Sequence, residues 1–216
     1  MRNLYSRIAL IAGLFLMLGL APAGAGALDD ARSLMNQRQY DKAVVVLQAV
    51  VDKGDANAQV YFELARAYHW KKDLDNALKY YRKAAELDKI YLTSPLPILN
   101  HFKRYDEMIQ IGETALSRGD RDVGVFSGLL NAYYDQKKMK DYDRVLRALR
   151  SHRYADDYRI DYQRYLLAKA EVRANQYEKA FTYIRKMKDK GLLQYMRTSG
   201  DFTPIAKDPR FITLTK

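Results

Sequence analysis

Lys169 and Arg173 stand four residues apart in a stretch with helical apolar spacing, so their charges share one face, and Tyr165 lies one turn before them. With Asn131 and Tyr134 from an earlier helix, this set could grip a carboxylate or an acidic segment through charge-assisted hydrogen bonds. A solvated basic helix face accounts for the same letters and takes no ligand. The histidines His69, His101 and His152 stand outside any HExxH pattern, and no cysteine is present to complete a metal site. His69 and His101 fall near the ends of successive helices, and a site shared between them is the one metal-dependent enzyme that can be sketched. Gly-x-Gly-x-x-Gly, Walker and Gly-x-Ser-x-Gly sequences are missing. The expectation is a protein with no catalytic residue, no cofactor and no bound metal.

Charge offers a second chemistry. The formal net charge is +11, and it is concentrated: residues 137–190 hold 16 Lys and Arg against 8 Asp and Glu. Arg144, Arg147, Arg150, Arg153, Arg159 and Arg164 alternate with Tyr142, Tyr154, Tyr158, Tyr162 and Tyr165, a composition suited to anionic lipid or an acidic envelope polymer. Nucleic acid fits the same composition. Many of these tyrosines also fall on helix stripes, which points to core.

The N-terminus bears on the choice. Residues 1–27 read as a secretory signal peptide, with Arg2 and Arg7, a 13-residue uncharged run from Ile8 to Leu20, and an Ala/Gly/Pro stretch ending at Ala27. The alternative is an uncleaved inner-membrane anchor, but 13 residues of helix rise about 20 Å against a hydrocarbon core of about 30 Å. Cleavage after Ala27 and a periplasmic or secreted protein are expected, and export argues against nucleic acid. With no cysteine, an exported chain has neither disulfides nor a lipidated cysteine, so packing must stabilise it.

The helices that position these residues announce themselves by a recurring phrase. Tyr40-Asp41-Lys42-Ala43, Leu74-Asp75-Asn76-Ala77, Tyr105-Asp106-Glu107-Met108, Tyr142-Asp143-Arg144-Val145 and Tyr177-Glu178-Lys179-Ala180 start 34, 31, 37 and 35 residues apart. Such a period marks an array of supersecondary units, none of which can bury its apolar face alone. Each phrase is expected to open a helix, its acid in the first turn favoured by the helix dipole, with a second helix before it. Tyr61, Leu64, Ala65 and Tyr68 followed by Ala77, Tyr81 and Ala84 resemble the tetratricopeptide repeat. Other copies keep the register more loosely. Ala31 and Leu34 precede the first phrase; Ser94 reads as N-cap with Pro95 opening the short first helix of the third unit, where Gly112 replaces a large residue; and the fourth has three extra residues around "QKKMKD". Gly191 reads as a helix terminator, and Thr203-Pro204 and Asp208-Pro209 as caps with proline at the first helical position. The "DPRF" ending resembles the short capping helices of bacterial tetratricopeptide proteins.

The expectation is therefore all-α: a right-handed α-solenoid of about five helix pairs (28–57, 58–90, 91–122, 123–158 and 159–190), with a C-terminal cap over 191–216. The resemblance implies a protein or peptide partner held on a concave face lined by first helices. Residues off the packing stripe place Arg32, Met35, Asn36, Phe62, Arg66, His69, Trp70, Asn100, His101, Asn131, Tyr134, Tyr165, Lys169 and Arg173 there, although Phe62 and Trp70 serve equally well as packing between neighbouring units. The implied role is a non-catalytic interaction scaffold of the cell envelope with apolar anchoring near Phe62 and Trp70 and acid recognition near Lys169 and Arg173. Attachment to an anionic surface through 137–190 is the alternative, and the identity of the partner and the oligomeric state have no signature in the sequence.

Overall fold

The structure, a computed structural model, describes residues 25–216. The leader reading of residues 1–24 lies outside the described residues. Those described are helices and turns without a strand, grouped in two compact units that divide between Ile98 and Leu99.

The first unit contains α1 (Ala25–Asn36), α2 (Tyr40–Asp52), α3 (Ala58–Trp70) and α4 (Leu74–Leu87), then a 3-10 turn Lys89–Tyr91. Asn57 caps α3 by accepting from the Val60 N–H, and Asp73 caps α4 by accepting from the Asn76 N–H. Ala31 and Met35 of α1, Ala43, Leu47 and Val50 of α2, Leu64 and Ala65 of α3 and Ala77, Tyr81 and Ala84 of α4 are buried. Ala65 and Ala77 have no exposed surface, and their small side chains let α3 and α4 approach closely.

The unit boundary falls within α5 (Leu96–His101). The second unit continues through α6 (Tyr105–Ser117), α7 (Val123–Asp135), α8 (Met139–Ser151), α9 (Asp157–Arg173), α10 (Tyr177–Ile184), α11 (Lys190–Thr198), a 3-10 turn Gly200–Ile205 and α12 (Pro209–Leu214). Leu99, Met108, Phe126, Leu129, Leu149, Phe181, Ile184, Phe202 and Phe211 are its largest enclosed apolar side chains, each stabilising the fold by about 1.5–3 kcal/mol through loss of apolar surface from water.

One turn, made five times, explains the recurring phrase. Arg38, Lys72, Lys103, Lys137 and Asn175 adopt left-handed φ angles of 59°, 64°, 57°, 57° and 57°. Each stands two residues before the second helix of a pair. At every one, the next residue's N–H reaches back across the first helix's end: Gln39 to Leu34, Asp73 to Tyr68, Arg104 to Leu99, Lys138 to Tyr133 and Gln176 to Glu171, at 2.8–3.0 Å. This is the Schellman closure, satisfying carbonyls the helix leaves open. A left-handed turn costs a residue with Cβ about 1–2 kcal/mol, and here the carbonyl closure and the packing of the pair offset it.

Four of the five phrases begin their helices. The exception is Tyr142, because α8 starts at Met139, two residues after Lys137; the three extra residues extend the helix rather than the loop. Other boundaries also move. The short α5 begins at Leu96, one residue beyond Pro95. Gly191 does not terminate a helix but lies in the first turn of α11, since α10 has stopped at Ile184. Thr203 is not a cap: the 3-10 turn starts at Gly200, capped by Ser199, and Pro204 sits inside it. Asp208 does cap α12, accepting from the Arg210 N–H with Pro209 at the first position. In α1 the buried stripe is Leu28, Ala31 and Met35 rather than Ala31 and Leu34.

Gly112 is a close-approach site. A Cβ there would lie 2.7 Å from Leu129 Cγ, and Leu129 is fully buried with nowhere to retreat. Gly112→Ala is therefore expected to destabilise the protein by about 1–3 kcal/mol through overpacking, read as a lower chemical-denaturation midpoint with an unchanged slope.

Candidate functional site

In the second unit, Lys169 and Arg173 project from α9 toward the C-terminal 3-10 turn, with Tyr165 one turn earlier. They converge on a carboxylate, and it belongs to the chain itself. Lys169 Nζ lies 2.8 Å from Asp201 Oδ2 and an Arg173 guanidinium nitrogen 3.6 Å from Asp201 Oδ1. The Tyr165 hydroxyl donates to Asp201 Oδ2 at 3.0 Å, and the Ser199 hydroxyl donates to the same oxygen at 3.1 Å. From α7, Asn131 Oδ1 accepts from Lys169 Nζ at 3.0 Å, and the Tyr134 ring lies under the Arg173 guanidinium, 3.8 Å from its centroid. All five residues read from the sequence as an acid-holding set are thus brought together.

Electrostatics bind the cluster. Burial disfavours the Asp201 carboxylate, but Lys169, Tyr165 and Arg173 outweigh it and hold its pKa below the usual aspartate value. Burial, then the neighbouring Arg173, pulls the Lys169 ammonium below its ordinary pKa against the opposing pull of Asp201 and Asp135. Beside the pair opens a polar cleft of about 430 Å³ lined by Asn100, Ser127, Asn131, Tyr162, Leu192 and Tyr195 together with Tyr165, Lys169 and Asp201.

The first unit holds a different arrangement. Glu63, only 3% exposed, accepts from Arg32 at 2.9 Å and from Arg66 at 2.7 Å, so both arginines expected on an open face are engaged by a buried acid. Met35 is a core residue rather than a surface one, because α1 turns its 28/31/35 stripe inward. Phe62 packs on Tyr81 and Tyr91, with ring centroids at 5.8 and 4.7 Å. Trp70 remains 54% exposed while stacking on Tyr40 and His69, at 6.2 and 5.5 Å. Asn36 is exposed, as are Asn100 and His101 in α5. His69 belongs to the first unit and His101 to the second, and no three metal-ligating side chains cluster among the described residues.

Most of the arginines proposed as a basic surface already have acids. Arg144 pairs with Glu113 and Asp141, Arg150 with Glu171, Arg159 with Asp122 and Asp156, and Arg164 with Asp161. Arg147 and Arg153 are exposed and show no ion pair among the described residues.

Sequence reasoning missed the buried acids Glu63, Asp161 and Glu171 and the half-buried Asp201. A signal existed for two of them, an acid three residues before an arginine on one helix: Glu63 with Arg66, Asp161 with Arg164.

One helix pair of the first unit matches a known repeat. Residues 58–90 match the tetratricopeptide repeat model. Those residues are α3, α4 and the short turn after them, the copy in which Tyr61, Leu64, Ala65 and Tyr68 lead into Ala77, Tyr81 and Ala84. Among solved structures, PilF of Pseudomonas aeruginosa is similar with a TM-score of 0.57 over 89% of this chain and 88% of that one, at 16% identity. At that identity the likeness speaks for the fold alone: an all-helical chain of packed helix pairs. No curated protein sequence matches the chain.

Proposed function

We propose that the protein is a non-catalytic scaffold of the bacterial cell envelope that binds a segment of another protein. Acid recognition falls to the second unit and apolar anchoring to the Trp70 surface of the first. The observation that carries this reading is the convergence of Tyr165, Lys169 and Arg173 on one carboxylate group, Asp201, with Asn131 holding the Lys169 ammonium in place. A site whose charges and hydrogen-bond donors already hold a carboxylate is complementary to an acidic peptide side chain or chain terminus. The tetratricopeptide match supports a protein partner, as these repeats serve generally as interaction modules.

Trp70 supplies the apolar part. An exposed indole stacked on Tyr40 and His69 is a rigid platform of the residue type that dominates interface energies. Attachment to an anionic surface is less well supported, because four of the six candidate arginines are neutralised within the chain.

The test is recovery of partner from envelope extract with residues 28–216 as bait, at low salt and at about half-molar salt, where exposed charge pairs are strongly screened. A discrete protein retained at high salt is expected, with recovery reduced about ten-fold or more by Trp70→Ala, as befits an interface anchor worth at least about 1.4 kcal/mol. Thermal stability should change little. Equal recovery by wild type and variant would refute the Trp70 anchor, and material washing off both baits in salt would favour an anionic surface.

A further inference from the structure

Asp201 has the position of a ligand and the connectivity of a latch. Its carboxylate is held by Lys169, Arg173, Tyr165 and Ser199, yet the side chain is still 22% exposed. It rides on a single 3-10 turn, beside the exposed Gly200, where a Cβ would meet nothing within 4 Å. On the other side the chain is firmly seated: Phe202 is 1% and Ile205 3% exposed, and the Phe202 ring lies against Tyr165 and Phe211 at 5.7 and 5.8 Å. The helix leading into the turn, α11, buries only Met196. The carboxylate therefore sits between an anchored segment and a lightly attached one. The cleft beside it reaches both Lys169 and Asp201, and its wall of Asn100, Ser127, Asn131, Tyr162 and Tyr195 offers hydrogen-bonding groups to an arriving chain.

We propose that Asp201 is an autoinhibitory gate: it occupies the acid-binding position on Lys169 and Arg173, and an acidic partner segment enters along the cleft by taking its place. The inference rests on the acid-recognition reading above and adds its regulation. One carboxylate replacing another conserves the charge pairing and the hydrogen bonds, so the exchange is nearly balanced and small differences decide it. Apparent affinity for a partner is then the intrinsic affinity multiplied by the fraction of molecules with the gate open. Phe202 and Ile205 stay in the core during the swing, so opening does not unfold the cap.

The probe is an acetylated tetra-aspartate peptide, and the readout is the rate at which Lys169 is acetylated by a small amine-reactive reagent, followed by mass spectrometry on the full chain. Asp201→Asn should expose the amine. Millimolar peptide should then slow Lys169 acetylation about ten-fold in Asp201→Asn and less than about two-fold in wild type, where Asp201 already covers the amine and the peptide only replaces it. Tyr165→Phe, which removes one donor from Asp201 but no charge, should give intermediate protection and serves if the first variant folds poorly. Equal protection of wild type and variants would overturn the gate while leaving acid recognition in place. Protection in none of them would overturn acid recognition, and the gate with it.

Discussion

Asp161→Ala should lower the stability of the protein by about 3–5 kcal/mol, the loss typical when one partner of a buried ionic network is removed. Asp161 is 2% exposed and accepts from the backbone N–H groups of Lys188 and Asp189 at 2.5 and 2.7 Å and from Arg164 at 2.7 Å. Arg164 in turn donates to the Lys186 carbonyl at 2.5 Å. One carboxylate thus fixes the chain between α10 and α11, and through it the start of the cap. Alanine leaves two N–H groups and a guanidinium without their acceptor, each orphan costing about 1–3 kcal/mol less whatever water recovers. Asp161→Asn keeps an acceptor but not the charge and should cost less. Burial opposes the ionised form, yet the two N–H groups and Arg164 depress the Asp161 pKa. Its contribution is consequently present above the ordinary aspartate value, about 3.9, and disappears as pH falls through the lower folded value. Denaturation midpoints of wild type and Asp161→Ala between pH 7 and pH 3 test both statements; a difference that stays constant across that range would contradict the ionic account.

Asp161 also marks where the sequence was silent. Helix pairs were legible because the apolar spacing and the first-turn acids repeat, and the left-handed turns at Arg38, Lys72, Lys103, Lys137 and Asn175 repeat with them. The end of α10 was not legible: its agent lies 27 residues earlier, against Lys188, and acts on backbone N–H groups that look alike in every sequence. Lys169 and Arg173 could be paired from their spacing of four, whereas Asp201, 36 residues from Tyr165, required the fold. Trp70 shows the opposite limit. Its exposure depends on how the end of α3 meets Tyr40, and either a packed or an open indole is consistent with the letters.

The basic stretch illustrates how composition overstates a surface. Its arginines were counted as a field, yet Arg144, Arg150, Arg159 and Arg164 each meet an acid from elsewhere in the chain or from their own helix. The exposed pairs among them, Arg144 with Glu113 and Arg159 with Asp122, contribute little to stability, about 0–1 kcal/mol each, but all four pairs reduce the positive potential of the surface. Of the six arginines, Arg147 and Arg153 remain without an acid among the described residues.

Asp201→Asn carries the second large effect, about 2–4 kcal/mol near neutral pH, because it leaves the buried Lys169 facing Arg173 without the intervening anion. The sign of its pH dependence follows from Lys169. The folded pKa of that ammonium is already below its ordinary value, and removing Asp201 lowers it further. Over the interval between the folded value and about 10.4 the unfolded chain binds more protons than the native one, so stability rises with pH there. The variant has the wider interval and should recover more as pH climbs. On the acid side, wild-type Asp201, whose folded pKa is depressed, gives up its contribution as pH falls through that value, below about 3.9, while the amide has none to lose. The stability gap between the two proteins should therefore be largest around neutrality and narrow toward both pH 3 and pH 10. A gap independent of pH would mean that Asp201 acts through shape and hydrogen bonding alone, with Lys169 neutral beside it.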